Sequence, residues 1–363
     1  MTEWKLFGVT PNFVSTETFE GEYIALVPSD DTRLIKLCSE NSKINKFLTS
    51  FRDQFGVPVS PNALLFREDL PQSALTTDAF TAFRDAVAVC IISPSRALMA
   101  QHQRGNLPCW SDIFEFYPWR LGKDQKAFIS LTSAQTAIHD VEEFFGQTSP
   151  SLPHPNHQNI VWYDELLLKE LMLKWCDVFI KGAKTKQDLK LFRSLNIAFK
   201  ASGTPAQADV MQYDIGRVIA SWVTAFETLA HSWQTYGTGK LQVAELLNSA
   251  EWLKPDMKTR EDFSVGKKTV NAVKAYDIYL RLDRARNFFL HGEDFSMDTL
   301  FSANEKIPLH EIAPVLYRMA LTSKLPTLNI VEESQSLDHH MMFTNINYQR
   351  RHLKFEEALF QAI

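Results

Sequence analysis

The clearest regularity in the chain is a run of hydrophobic residues at steps of three and four positions between residues 215 and 229. These spacings return to one face of a helix with about 3.6 residues per turn, while polar residues such as Arg217 and Thr224 fall on other faces. The hydrophobic positions are Ile215, Val218, Ile219, Trp222, Val223, Phe226 and Leu229. The pattern therefore predicts an amphipathic helix that packs one face into a protein core.

Helical periodicity continues through most of the second half of the chain. Further helices are predicted at about residues 163–180, 186–202, 265–290, 311–321 and 355–360. In the segment 265–290, Arg286 continues a stripe that also contains Ala275, Tyr279 and Leu282. These segments together favour a helical bundle.

Residues 1–150 have a less regular pattern. Short β-like runs at 23–27 and 86–92 alternate with helix-like pieces and proline-bearing loops. Three prolines then fall within residues 149–156, which neither a helix nor a central strand accepts, so we interpret this stretch as a linker. We predict an α+β protein with three parts: a mixed α/β domain at 1–150, an all-α bundle at 158–330, and a tail at 331–363 with a short amphipathic helix.

The composition is that of a globular protein with room for two ordinary domains, because 45% of the 363 residues are apolar and 22% are charged. The net charge of −5 indicates that a polyanion must be held by a local basic patch rather than by overall attraction. The four cysteines are widely separated, which favours reduced structural thiols over a disulfide framework. Since we find neither a secretory leader nor an apolar run of membrane length, we expect a cytoplasmic protein without a membrane partner.

Neither a metal nor an organic cofactor is predicted. His154 with His157, and the pair His339 and His340, lack cysteines or carboxylates at ligand spacing. Residues 237–240 read Gly-Thr-Gly-Lys, but they lack the first glycine and the final hydroxyl residue of a phosphate-binding loop. We interpret them as an ordinary loop.

Candidate chemistry is concentrated in residues 286–292, which read Arg-Asn-Phe-Phe-Leu-His-Gly. Arg286 supplies a permanent cation, Asn287 an amide, and His291 an imidazole, the side-chain type that titrates near neutral pH. Gly292 favours a left-handed helix end directly after the histidine. These groups suffice for phosphodiester chemistry without a metal, although the same spacing also occurs by chance.

Three blocks of the chain resemble, in order, the Apea-like branch of the HEPN superfamily. They are residues 191–198, residues 213–229 and the Arg-x4-His stretch 286–292, and the resemblance covers about residues 160–325. It implies a helical bundle that cleaves RNA without a metal, by attack of the ribose 2′-hydroxyl, in antiviral or toxin-type defence. It also implies a homodimer in which two such motifs face each other and form one composite cleft.

Under this resemblance, each group of the motif has an expected role. His291 is the candidate for proton transfer at the reacting oxygens, and Arg286 is expected to bind the scissile phosphate and stabilise its transition state. Asn287, four residues before His291, is expected to orient the imidazole or a phosphate oxygen. Trp222 and residues 288–290 are large apolar residues, which agrees with a dimer interface, although large aromatics also fill a monomer's own core.

Two carboxylates are candidates for supporting roles. Glu227 lies at the edge of the apolar face of its predicted helix, where it either pairs with Arg286 or Arg284 or is a solvated surface group. Asp214 has the same two readings.

A basic segment is the candidate for holding the RNA backbone. Six cations fall within twenty residues of sequence beside a single acid, and the alternative is a solvated helix face. The residues are Lys181, Lys184, Lys186, Lys190, Arg193 and Lys200. A weaker basic candidate, residues 350–354, contains Arg350, Arg351, His352 and Lys354.

A defence ribonuclease has to be restrained in healthy cells. We therefore expect control by the N-terminal domain or by a separate inhibitor protein. The alternative to the enzyme is a non-catalytic HEPN-like module for dimerisation or sensing, which binds a protein or nucleic-acid partner.

Overall fold

The computed structural model confirms an α+β fold, with strands near the N-terminus and a largely helical C-terminal part. It describes residues 3–10, 13, 15–49, 51, 57–102, 114, 119–121, 128–130, 162–203, 212–231, 239–293, 297–303, 307–325 and 339–363. Among these residues, none of the helices combines the length and the apolar character that crossing a bilayer requires. The predicted linker at 149–156 lies outside the described residues.

The chain forms two compact units, each built from several stretches of sequence. The described parts of residues 1–87, 106–160 and 172–184 make the first unit, and those of residues 88–105, 161–171 and 185–363 make the second.

The first unit is built on an antiparallel sheet with strand order β1-β4-β3-β2. Its strands are β1 (Trp4–Thr10), β2 (Phe19–Glu20), β3 (Ile24–Val27) and β4 (Asn62–Arg67), and two helices, α1 (Thr32–Glu40) and α2 (Ser42–Thr49), lie between β3 and β4 in sequence. Side chains alternate across the sheet, as strand geometry requires. Leu65 packs in a core with residues of α1 and α2, whereas the neighbouring Phe66 contacts Phe80. Strand β3 confirms the β-like run predicted at 23–27.

The prediction of a second β-like run, at residues 86–92, is wrong. It belongs to α3 (Thr77–His102), a helix of 26 residues. All seven residues of the run are buried, so the helix carries apolar side chains on every side and loses the periodicity that distinguishes it from a buried strand. Two short strands, β5 (Trp119–Leu121) and β6 (Phe128–Ser130), pair farther along the chain.

The second unit is a bundle in which one central helix packs against four others. The central helix is α6 (Gln212–Ala230), which confirms the amphipathic helix predicted at 215–229, and Trp222 and Phe226 are buried in its contacts. Its neighbours are α5 (Lys186–Ser202), α7 (Gly239–Asn248), α9 (Tyr276–His291) and α10 (Leu309–Thr322), and the unit also contains α8 (Pro255–Lys258) and α11 (His339–Ala362). Helix α4 (Glu165–Trp175) is shared by both units.

Part of the helix predicted at 265–290 is a β-hairpin instead. Strands β7 (Arg260–Val265) and β8 (Lys268–Val273) pair in antiparallel register, and α9 begins only at Tyr276. Gly266 in the turn has a φ of 61°, a left-handed conformation that favours glycine over residues with a Cβ. The β-branched residues of both strands agree with the hairpin, whereas the apolar stripe of the helix begins only at Ala275.

A buried ionic network anchors the C-terminal helix α11. Arg318 of α10 has no exposed side-chain surface, and it donates hydrogen bonds from Nε to Asp164 Oδ2 at 2.7 Å and from one terminal nitrogen to Tyr348 Oη at 2.7 Å. The other terminal nitrogen lies 2.8 Å from Nδ1 of His352, whose ring is fully buried. His352 is therefore a core residue, and the prediction that it belongs to a nucleic-acid-binding patch is wrong.

A second histidine, largely but not fully buried, makes the stability of this unit depend on pH. Burial and, to a smaller extent, the nearby Arg96 lower the pKa of His310 to about 4. Because an unfolded histidine titrates near pH ~6.5, the unfolded chain binds a proton at pH values where the folded chain does not. The free energy of unfolding is unaffected by this group above pH ~6.5, and it should fall by roughly 3 kcal/mol as the pH decreases to ~4.

Urea unfolding of His310→Leu and the wild type at a series of pH values tests this expectation. The decline towards acid should be shallower in the variant, and Nδ1 of His310 has no hydrogen-bond partner among the described residues that the substitution would remove. His352, whose pKa is also lowered by burial and by Arg318, preserves part of the decline in both proteins. Glu311, whose pKa is raised by burial, acts in the opposite direction in both. Equal slopes in the two proteins would contradict the assignment.

Candidate active site

The candidate site lies at the C-terminal end of α9. His291 is the last residue of the helix and is exposed, and Gly292 follows it with a φ of 66°. The backbone N–H groups of Gly292 and Glu293 both donate to the carbonyl of Phe288, which closes the helix end. The side chain of His291 makes no hydrogen bond or ion pair with any described residue. The helix end predicted from Gly292 therefore presents a free imidazole to solvent.

Arg286, about 1.4 turns earlier, is held by internal partners. One of its terminal nitrogens donates to Glu227 Oε1 at 3.2 Å, and the other donates to Asp283 Oδ1 at 2.8 Å. Nε and the second terminal nitrogen also donate to Oδ1 of Asn287, at 3.3 and 3.2 Å. Four of the five N–H donors of the guanidinium are thus in use, and 20% of the side chain is exposed.

Asp283 is the buried centre of this cluster, with 2% of its side chain exposed. Besides Arg286 it binds Nζ of Lys240, from the first turn of α7, and it accepts a hydrogen bond from the amide of Asn287 at 3.3 Å. Two cations and an amide donor compensate the desolvation of the carboxylate, which would otherwise make it costly to bury.

Glu227, near the end of α6, holds Arg286 from the other side. Its Oε1 also accepts a hydrogen bond from the hydroxyl of Tyr279 at 3.4 Å, and burial and the nearby Glu227 raise the pKa of Tyr279, which keeps the phenol protonated as a donor. The carboxylate lies next to Gly239, the first residue of α7, where the positive end of a helix favours an anion. The pairing of Glu227 with Arg286, one of the two readings from the sequence, is the one observed.

The contact between α6 and α9 shows which end of the bundle carries His291. Gly216 packs against Phe289, and farther along α6 Phe226 packs against Tyr279, so the two helices run antiparallel. A Cβ built on Gly216 would lie 2.5 Å from the Phe289 ring, so glycine permits this close approach. His291 therefore lies towards the start of α6.

The remaining predicted residues take other positions. Asp214 pairs with Arg217 of its own helix at 3.3 Å and is not among the partners of Arg286. The amide of Asn287 bonds to Arg286 and Asp283 rather than to His291. The imidazole itself is turned about 140° around the helix from Arg286, because five residues separate them.

The six predicted RNA-binding cations divide between the two units. Lys181, which pairs with Asp177 at 2.8 Å, and Lys184 belong to the first unit. The other four lie on one face of α5, since their spacings of four, three and seven residues correspond to whole turns. They are Lys186, Lys190, Arg193 and Lys200. Lys190 donates to the carbonyl of His231 at 2.5 Å, so its cation is partly committed within the bundle.

Sequence reasoning missed Asp283, Tyr279 and Lys240 as members of the site. Asp283 precedes Arg286 by three residues and Asn287 by four, a spacing that signals contact on a helix surface. Lys240 lies in the stretch interpreted as a loop, but Gly239 and Lys240 are the first residues of α7, while 237 and 238 lie outside the described residues. Its pairing with Asp283 depends on the packing of α7 against α9 and has no local signal.

Gly239→Ala should weaken the ion pair between Glu227 and Arg286. A Cβ at this position would lie 2.8 Å from Oε1 and 2.9 Å from Cδ of Glu227, which must therefore move. If Glu227 positions Arg286 for RNA cleavage, we expect kcat to fall about tenfold in Gly239→Ala and in Glu227→Gln, with KM nearly unchanged.

A double-mutant cycle tests whether Gly239 and Glu227 affect Arg286 through the same contact. The two substitutions together should cost little more than either alone, because both act through one contact. Losses that multiply in the double variant would show that Gly239 acts independently of Glu227 and would contradict the proposed route.

No protein-family model matches the chain, and no curated protein or solved structure is significantly similar to it. The resemblance to the HEPN superfamily therefore rests on the three quoted sequence blocks.

Proposed function

We propose that the protein is a metal-independent endoribonuclease of the HEPN type that acts in antiviral or toxin-type defence. The observation that carries the proposal is the end of α9, where an exposed His291 without internal partners follows an arginine fixed by two carboxylates. An unpartnered imidazole and a rigidly held cation within five residues of each other are the two kinds of group that suit proton transfer and charge stabilisation at a phosphodiester.

In the proposed reaction the ribose 2′-hydroxyl loses its proton to a base, and its oxygen attacks the adjacent phosphorus. The bond from phosphorus to the 5′-oxygen breaks as a 2′,3′-cyclic phosphate forms, and an acid protonates the departing 5′-oxygen. His291 supplies one of these proton transfers. Its exposure and its freedom from internal hydrogen bonds support this role.

Arg286 takes a narrower role than the bidentate phosphate clamp expected from the sequence. Because four of its five donors are in use, it offers a phosphate oxygen one N–H and its charge. The charges of Arg286 and Lys240 are balanced locally by Asp283 and Glu227. The cluster therefore mainly fixes the geometry of the helix end, and the transition-state charge must be met by further cations.

A homodimer would supply the second imidazole. One histidine can perform only one of the two proton transfers at a time, and a second copy of the motif completes the pair. Two large apolar side chains at this end of α6 and α9 support such an interface, with 61% of Leu290 and 58% of Tyr213 exposed. Trp222 lends no support, because it is 1% exposed and fills the core of its own unit.

RNA backbone binding is assigned to the four cations on one face of α5. They present a linear row of charge along a helix, which suits a phosphate backbone better than it suits a compact anion. Lys181 and Lys184 belong to the first unit and are not needed for this surface.

The product chemistry tests the proposed reaction. Purified full-length protein should cleave RNA at the same rate in EDTA as in buffer, and the fragments should carry 2′,3′-cyclic phosphate and 5′-hydroxyl ends. The ends can be identified by ligation and by mass spectrometry. Cleavage that is lost in EDTA, or 5′-phosphate products, would indicate a metal-dependent hydrolysis and overturn the proposal.

A non-catalytic dimerisation or sensor module is the second candidate. The observation that favours it is the local neutralisation of Arg286, because a cation paired with two carboxylates also fits a purely structural network. Under either function, control by the first unit or by a separate inhibitor protein remains part of the proposal. Residues 88–102 of α3 belong to the second unit, so a fragment that starts after the predicted linker would lack part of the bundle.

A further inference from the structure

A cavity of about 290 Å³ adjoins the proposed site. One wall is a face of α9 that carries Leu280, Arg284 and Phe288 at steps of four residues, and the opposite wall is the β7–β8 turn around Gly266. Lys240, Asp283, Asn287 and Glu293 complete the lining. The volume is just below the range of about 300–1,000 Å³ that is usual for small-molecule sites.

The lining combines an aromatic ring with two unused charges. Arg284 and Glu293 are exposed, and their side chains make no hydrogen bond or ion pair with any described residue. By contrast, Lys240 and Asp283 on the same cavity are bound to each other. The cavity therefore offers an incoming ligand one free guanidinium, one free carboxylate and the ring of Phe288.

These three groups match the base ring, the phosphate and the exocyclic amino group of a nucleotide. Bases of single-stranded RNA stack on aromatic side chains and are read along their hydrogen-bonding edges. A guanidinium suits a phosphate group. A carboxylate accepts hydrogen bonds from an exocyclic amino group such as N4 of cytosine.

We propose that this cavity holds the nucleotide next to the bond that is cleaved, with its base on Phe288, its phosphate on Arg284 and a base amino group on Glu293. The inference rests on the proposed ribonuclease function and adds a determinant of sequence specificity to it. The position along α9 supports this placement, since Arg284 precedes Phe288 by four residues and Phe288 precedes His291 by three, spacings that lie on one face of the helix.

The carboxylate makes the cavity selective. Cytosine, adenine and guanine carry an exocyclic amino group, whereas uracil presents carbonyl oxygens at the corresponding positions. The carboxylate of Glu293 and these carbonyl oxygens are both negative, so they would repel each other. Cleavage should therefore disfavour uridine at the position that occupies the cavity.

Two measurements on the full-length protein test the inference. The first is calorimetric binding of cytidine and uridine 5′-monophosphates to the wild type and to Phe288→Leu, Arg284→Gln and Glu293→Gln. We expect the cytidine nucleotide to bind more tightly, about tenfold weaker binding in Phe288→Leu, and a loss of the preference for cytidine in Glu293→Gln. Phe360→Leu and Glu245→Gln, which change exposed residues elsewhere in the second unit, serve as controls and should leave binding unchanged.

The second measurement is sequencing of RNA ends produced by the same proteins. Glu293→Gln should cleave RNA with uridine at the position where the wild type disfavours it. Phe288→Leu should show a weaker preference among all four bases at that position. If the wild type cleaves RNA but neither variant changes its base preference or nucleotide affinity, the cavity inference fails and the ribonuclease proposal stands. If the wild type does not cleave RNA, the ribonuclease proposal fails, and the calorimetry alone decides whether the cavity binds nucleotides. The absence of nucleotide binding would then overturn the inference too.

Discussion

Replacement of His291 by alanine should lower the rate of RNA cleavage by about 10²–10⁴-fold, the usual contribution of a positioned general acid or base. The stability of the protein should not change measurably, because the side chain is exposed and contacts no described residue through a hydrogen bond or ion pair. The two measurements are initial cleavage rates under single-turnover conditions and urea unfolding.

Two further variants test whether the loss of activity is specific to the imidazole of His291. His291→Gln retains a hydrogen-bonding side chain but transfers no proton, so it should be nearly as inactive as His291→Ala. His231, an exposed histidine just after α6, provides the matched control, and His231→Ala should cleave RNA as the wild type does. Equal activity of His291→Ala and His231→Ala would leave the enzyme proposal without its central residue and would favour the non-catalytic module.

Arg318→Leu should destabilise the second unit by about 3–5 kcal/mol. The substitution removes the cation from Asp164, whose side chain is 1% exposed, and leaves a buried carboxylate without its compensating charge. It also removes the donors that bind Tyr348 and the partner of His352 on α11. Urea unfolding of the full-length protein measures the loss.

An exposed pair in the same unit gives the control. Arg351 and Glu165 form an ion pair at 3.1 Å with side chains 42% and 56% exposed, and Arg351→Leu should cost no more than about 1 kcal/mol. In the double variant Arg318→Leu/Asp164→Leu, part of the lost stability should return, because no unpaired charge stays buried. Equal losses for Arg318→Leu and Arg351→Leu would refute the view that burial of Asp164 sets the cost.

The local signals in the sequence located the helices better than the strands. The helix predicted at 186–202 agrees with α5, where Thr185 and Asp188 form a capping box, and α6 contains all of residues 215–229. Both have a polar face and an apolar face, so their periodicity is visible. Residues 86–92 have no polar face because α3 is buried on every side there. The β-hairpin before α9 was included in the predicted helix at 265–290, although the apolar stripe of that helix begins only at Ala275.

The same division applies to the candidate site. By itself, the sequence determined that Arg286, Asn287 and His291 share the end of one helix closed by Gly292, because helical spacing and a left-handed cap are local properties of the chain. Only the tertiary structure decided that Arg286 is already bound by carboxylates. Glu227 lies 59 residues before Arg286 in the chain and on a different helix, so its contact depends on how α6 packs against α9. Charges far apart in sequence become neighbours only through packing, and that packing leaves the imidazole free while it restrains the guanidinium.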